Sequence, residues 1–246
     1  MGLRSAALSV LVAAGLAGCA APPPDGVTTT SPGEKINPVA AVGQALDART
    51  AARTFISVVE RVEPAAEAEC RERAPQFNCD FQIVVDDRPG LPANAFQTVD
   101  QRGRPIVAFT LALIADARNA DELAFVLSHE AAHHIEGHLA RQQRNATAGA
   151  VVFGQLAGAL GARTPEEVRA AQEIGAVVGA RSYSRDFELE ADRLGTIITA
   201  RAGYDPVRGA DFFFRIPDPS AVFLSTHPPN QERVAIVRST AAQLRR

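Results

Sequence analysis

Four of the chain's five histidines fall in one run, Ser128-His129-Glu130-Ala131-Ala132-His133-His134-Ile135-Glu136-Gly137-His138. Imidazoles beside a carboxylate are the groups that bind a borderline-soft metal ion and move protons. On a helix His129 and His133 stand one turn plus about 40° apart, so both leave one face and can bind a single zinc ion, with Glu130 beside them. The pattern is HExxH. A site built this way needs a third protein ligand from elsewhere and leaves the fourth coordination position for water. His134 and His138 would lie about 100° and 140° round the helix from His133, which predicts packed or surface residues rather than ligands.

The spacing works only on a helix, and the flanking residues supply one. Asn119 with Glu122 three residues on is a capping signal, and Leu123, Phe125, Val126 and Leu127 follow it. Downstream, Ser182 to Gly195 reads as a second helix with Ser184 as its cap. There Glu188 and Asp192, four apart, share a face, so one can bind zinc while the other accepts a hydrogen bond from a ligand imidazole. Glu190 lies about 200° round from Glu188 and is expected to face elsewhere. Taken alone, the run also fits a solvated acidic helix face.

Together these residues resemble the HtpX-like, CAAX prenyl protease type one and Oma-like zinc metallopeptidases, whose mark is HExxH followed by ExxxD. The resemblance covers much of residues 92 to 235. It includes Asn94-Ala95-Phe96 ahead of the site, a further histidine five residues after His133, the Glu188 to Asp192 region, and the late segment Thr226-His227-Pro228-Pro229-Asn230-Gln231-Glu232-Arg233. It implies an α+β, mainly helical, zincin-like metallopeptidase domain with a small edge-exposed β-sheet. It implies one zinc ion per chain, held by His129, His133 and Glu188, with Glu130 as general base and Asp192 behind a ligand imidazole. His227 is implied to approach the metal, either stabilising the oxyanion or closing the open coordination position; a cap on a helix beginning at Pro228 or Pro229 is the plainer reading. Arg233 is implied to orient His227 or a nearby carboxylate, with an exposed salt bridge as the alternative.

The elements that must position these groups follow from patterning. Residues 43 to 72 carry Ala45, Ala52, Phe55, Val58, Val59 and Val62 on one side of a predicted amphipathic helix, which Pro64 would kink or divide. Phe81 to Asp86 and Arg104 to Thr110 read as strands, with turn chemistry at Asp100-Gln101-Arg102-Gly103. Pro105 lacks an amide donor, which suits an exposed edge strand, and an exposed edge would accept an extended substrate. Ala146 to Ala162 is rich in Ala, Val and Gly; at about 17 residues with Gln155 inside it predicts a buried helix or a flexible hairpin flap near the site rather than a membrane span. Thr164-Pro165 opens another helix. Cys70 and Cys79 predict a short-loop disulfide; a second metal site there would lack nearby histidines.

The amino terminus carries an address. Arg4, the apolar run Ala6 to Gly18 and the sequence Leu16-Ala17-Gly18-Cys19 read as a signal peptide over residues 1–18. Leu-Ala-Gly-Cys resembles the bacterial lipobox, which implies lipidation at Cys19 and a hold on a membrane surface. Ala20 after the cysteine favours the outer membrane. Residues 19–40 are rich in Pro, Thr, Ser and Gly and read as a tether, leaving 41–246 as one metallopeptidase domain, with hydrophobic residues at 46% of the chain, enough for a core. A net charge of −3 provides no basic field, so nucleic acid is not an expected partner. The function expected is a lipid-anchored periplasmic zinc metalloendopeptidase that hydrolyses misfolded or misassembled envelope proteins. The rival is a zinc-stabilised lipoprotein chaperone or assembly factor with weak or latent hydrolysis.

Overall fold

The computed structural model describes residues 46–182, 184–215 and 228–246. The signal segment, Cys19, the tether and His227 lie outside the described residues, so the expectations placed on them are not addressed by the fold.

Helix α1, Ala48–Arg73, begins at Asp47, whose carboxylate accepts the amides of Arg49 and Thr50 at 3.1 Å each. Its buried stripe is Ala51, Phe55, Val58, Val62, Ala66 and Cys70, an i, i+3/i+4 series, whereas Ala52 is exposed. Pro64 neither divides nor ends the helix; burial of Val62 and Ala66 on either side holds it through the lost hydrogen bond. At its end Cys70 is bonded to Cys79, with Cα atoms 5.6 Å apart. This ties α1 to the segment leading into the sheet.

Three strands follow: β1, Gln82–Asp86; β2, Ala95–Val99; and β3, Pro105–Thr110. Their order is β1-β3-β2, with β3 parallel to β1 and antiparallel to β2. The strand carrying Pro105 is therefore central, not an edge as its sequence predicts. Proline is accommodated because it is the strand's first residue, opposite Val99, where the hairpin turn begins. That turn closes through Asp100 N–H to the Arg104 carbonyl at 2.9 Å, with Gly103 at φ 77°. The edge lying beside the helix that bears the HExxH residues is β2.

Thr110 caps the short α2, Leu111–Asp116, and Asn119 caps α3, Ala120–Ile135, accepting the Glu122 amide at 3.0 Å. Helix α3 is the spine of the fold, burying Leu123, Ala124, Leu127, Ala131, Ala132 and Ile135 against α1 and α6 (Ser184–Arg201). The α3–α6 approach is close: a Cβ on Gly195 would stand 3.0 Å from the His129 Cα. Ser184 is the first residue of α6 rather than its cap, and its hydroxyl donates back to the Arg181 carbonyl at 2.9 Å. Helices α7, Pro206–Gly209, and α8, Asn230–Leu244, close the core with Phe213, Val234 and Val237 packed on Phe125.

Gly137, at φ 66°, ends α3 and starts α4, His138–Ala159, which pairs with α5, Pro165–Arg181, as a helical hairpin. A capping box between Thr164 and Glu167 opens α5. Of the two readings of 146–162, the buried helix is overturned and the hairpin is found: the segment forms the outer part of one arm and the tip, with Val151, Val152, Leu156 and Leu160 exposed. Its apolar sequence is consistent with the contact made: Gly149, Gly175 and Gly179 let the two backbones touch, and a Cβ on Gly149 or Gly175 would overlap the other's carbonyl oxygen. Gly175→Ala is accordingly expected to destabilise the hairpin by about 1–3 kcal/mol. Hydrogen exchange should rise in α4 and α5 and stay unchanged in α3; protection equal to the parent's throughout would refute the contact. Among the described residues no helix is long and apolar enough to cross a membrane.

Candidate metal centre

His129 and His133 leave α3 on the side facing α6, and Glu188 comes to meet them from the first turns of α6. The two Nε2 atoms are 3.0 Å apart, and Glu188 carboxylate oxygens lie 3.4 Å from His129 Nε2 and 3.5 Å from His133 Nε2. Donors about 2.0–2.1 Å from a tetrahedral zinc ion would be separated by about 3.3 Å, which is close to the spacing of the two imidazole nitrogens and of each nitrogen from its nearer Glu188 oxygen, Oε2 for His129 and Oε1 for His133. Two imidazoles and a carboxylate are also a donor set that suits zinc. The HExxH pair and Glu188 are thus brought together as expected, and all three side chains are buried or nearly so.

Asp192, one turn beyond Glu188, is buried with its carboxylate 3.0 Å from His129 Nδ1. It also receives Arg233, whose Nε and Nη2 each stand 2.8 Å from a different Asp192 oxygen. The exposed salt bridge offered as an alternative for Arg233 is excluded: the guanidinium is buried, lies 4.0 Å over the Phe213 ring and comes within 3.4 Å of Glu188. Burial works against a proton on His129, yet its hydrogen bonds to Asp192 and Glu188 outweigh burial and push its pKa up to about 9. At His133 burial dominates, reinforced by the neighbouring His129 charge, and pushes the value down to about 3. Burial likewise raises Asp192, but the Arg233 charge more than reverses this and holds it below the usual carboxylate range.

Glu130 lines a cavity of about 530 Å³ shared with His129, His133, Glu188 and the β2 residues Ala95 to Gln97. Burial raises its pKa against the opposing pull of His129, and the Glu188 charge raises it further. A carboxylate so placed is inclined to take up a proton, which a general base must do.

Two residues set aside from the sequence belong to this centre. His138 Nδ1 lies 2.8 Å from His133 Nδ1, and His138 Nε2 lies 3.0 Å from Glu190, which also pairs with Arg141. The rotation predicted for His138 assumed a helix running through it; the left-handed Gly137 breaks α3 and turns His138 back toward His133. The available signals were that glycine and the middle acid of Glu188-Leu189-Glu190-Ala191-Asp192. His134 is packed as predicted, its Nε2 2.8 Å from the Asn78 carbonyl and its ring between Phe77 and Phe81.

Comparison with known proteins agrees with this geometry. Residues 53–241 match peptidase family M48. The chain is 35% identical over 150 residues to a Vibrio cholerae protein, a match covering 56% of this chain and 31% of that one. It is 34% identical over 148 residues to the beta-barrel assembly-enhancing protease of Escherichia coli O157:H7, covering 54% and 30%, and 31% identical over 146 residues to that of Yersinia pestis, again covering 54% and 30%. The chain's matched stretch thus spans about a third of the length of these relatives.

Proposed function

The chain belongs to peptidase family M48, and from that premise we propose that it is a zinc metalloendopeptidase of the bacterial envelope that cleaves misfolded or misassembled outer-membrane proteins. The observation that carries the reading is the convergence of His129, His133 and Glu188 at metal-ligand spacing with Glu130 beside them in one cavity. Relatives named for enhancing β-barrel assembly support the choice of substrate class. Leu16-Ala17-Gly18-Cys19 supports attachment through a lipid on Cys19.

His129, His133 and Glu188 would hold the ion, which when bound supplies Lewis acidity to the scissile carbonyl and to a water. Glu130 takes a proton from that water at its carboxylate as the oxygen attacks the carbonyl carbon. It then delivers the proton to the departing amide nitrogen as the C–N bond breaks. Asp192 holds the His129 ring by its Nδ1 so that Nε2 is turned toward His133 and Glu188, where the ion would be held, and Arg233 keeps the Asp192 charge satisfied in a buried setting. Edge strand β2 contributes Ala95 to Gln97 to the cavity wall, where an extended polypeptide can add to its backbone. Such pairing selects unfolded segments, because a folded chain has its backbone groups already paired.

Purified full-length protein in detergent is expected to cleave an unfolded model protein, to stop on addition of a chelator and to recover with zinc. Zinc content in Glu188→Ala should fall from about one ion per chain to a small fraction of that. Cleavage indifferent to the chelator would reject a metallopeptidase; undiminished zinc in Glu188→Ala would reject the third ligand.

A further inference from the structure

Each candidate ligand imidazole turns one nitrogen toward the cluster that would hold the ion and has one left over. For His129 the spare nitrogen meets Asp192. For His133 it meets His138, and the hydrogen bonds there admit one consistent arrangement of protons. With Nε2 of His133 turned toward His129 and Glu188, its Nδ1 carries the hydrogen. His138 Nδ1, 2.8 Å away, must then accept, which places the His138 hydrogen on Nε2, where Glu190 stands 3.0 Å off as acceptor. Every donor along this path from His133 to Glu190 meets an acceptor.

We propose that His138 and Glu190 are positioning residues that fix the tautomer and ring orientation of His133 through the path Glu190 to His138 to His133, and so set the affinity of the centre for zinc. This rests on the metal-binding reading above. The path is also held in place from outside. The His138 ring stacks on Phe187 at 4.6 Å and 12°, the Arg141 guanidinium lies 4.3 Å over the other partner of that stack, the Phe187 ring, and Arg141 pairs with Glu190. His138 and Arg141 come from the first turn of α4, Phe187 and Glu190 from α6, so the clamp joins the helix pair that flanks the ligands. Three of the four acids of α6 then serve one centre: Glu188 would hold the ion, Asp192 backs His129 directly, and Glu190 backs His133 through an intermediary imidazole. An oriented imidazole is worth about 10- to 100-fold in metal affinity in comparable settings.

The test compares His138→Asn with His138→Leu in the full-length protein, reading zinc affinity by competition with a chromophoric chelator and the fold by circular dichroism. Asparagine places its amide oxygen near where Nδ1 stood and keeps an acceptor for His133; leucine is of similar size and offers none. His138→Leu should bind zinc about 10- to 100-fold more weakly than the parent, and His138→Asn should recover most of that loss. Equal losses in the two variants would mean that His138 acts only by packing on Phe187, and an unchanged affinity in His138→Leu would mean no role at all; either overturns the proposal. Glu190→Ala supplies a second arm should His138→Leu fold poorly. Its loss should not add to that of His138→Asn in the double variant if both act along one path, and full additivity would overturn the relay. Failure of the parent itself to bind zinc would sink the metallopeptidase reading, whereas a binding parent with indifferent variants sinks this proposal alone.

Discussion

Glu130→Gln is expected to retain zinc and fold while losing roughly 10²- to 10⁴-fold in turnover of an unfolded protein substrate. Glutamine matches glutamate in shape, so the cavity wall beside β2 is preserved. What disappears is the group that accepts the water proton, and burial is what makes Glu130 receptive to one. The change removes an interaction made while the bond is breaking, so the loss should fall on kcat, with KM for substrate little altered. Zinc content near one per chain with turnover near the parent's would show that another group serves as base.

The second large effect concerns the buried pair behind His129. Asp192→Ala leaves the Arg233 guanidinium buried without its two-oxygen partner and His129 Nδ1 without its acceptor. Breaking such a pair from one side costs about 3–5 kcal/mol, seen as a fall in thermal or denaturant midpoint, and zinc affinity should drop about 10- to 100-fold. The double change Asp192→Leu with Arg233→Met is expected to regain most of the stability, because neither charge of the pair is left without the other, but not the zinc affinity. If stability and metal binding recover together, Asp192 has no orienting role; if Asp192→Ala is as stable as the parent, the pair is not the anchor inferred from the fold.

The parts of the site readable from the sequence are those set by spacing along one helix. His129 with His133 and Glu188 with Asp192 are four apart, and helix geometry alone puts each pair on a common face. The Asn119 and Thr164 caps were legible for the same reason, being local. What sequence patterning mispredicted depends on contacts between distant segments. Strand order is such a property: Pro105 suggested an edge, but β3 is covered on one side by β1 and on the other by β2. His138 is packed rather than a ligand, as predicted, but its place against His133 depends on the left-handed Gly137 that redirects the backbone. For 146–162 the apolar composition leaves a buried helix and a hairpin both open; the glycines that let α5 approach closely select the hairpin and leave much of the remaining apolar surface exposed. For Arg233, motif resemblance pointed to the right kind of partner, and the helix packing that buries it decided which one.

The α4–α5 hairpin has a further consequence for how the fold can vary. Among the described residues its root carries His138 and Arg141, while its outer half packs on itself through Gly149, Gly154 and Gly175. Length added or removed in whole turns beyond the root therefore translates the tip without displacing the ligands, making the hairpin a mast of adjustable height stepped beside a fixed reaction centre.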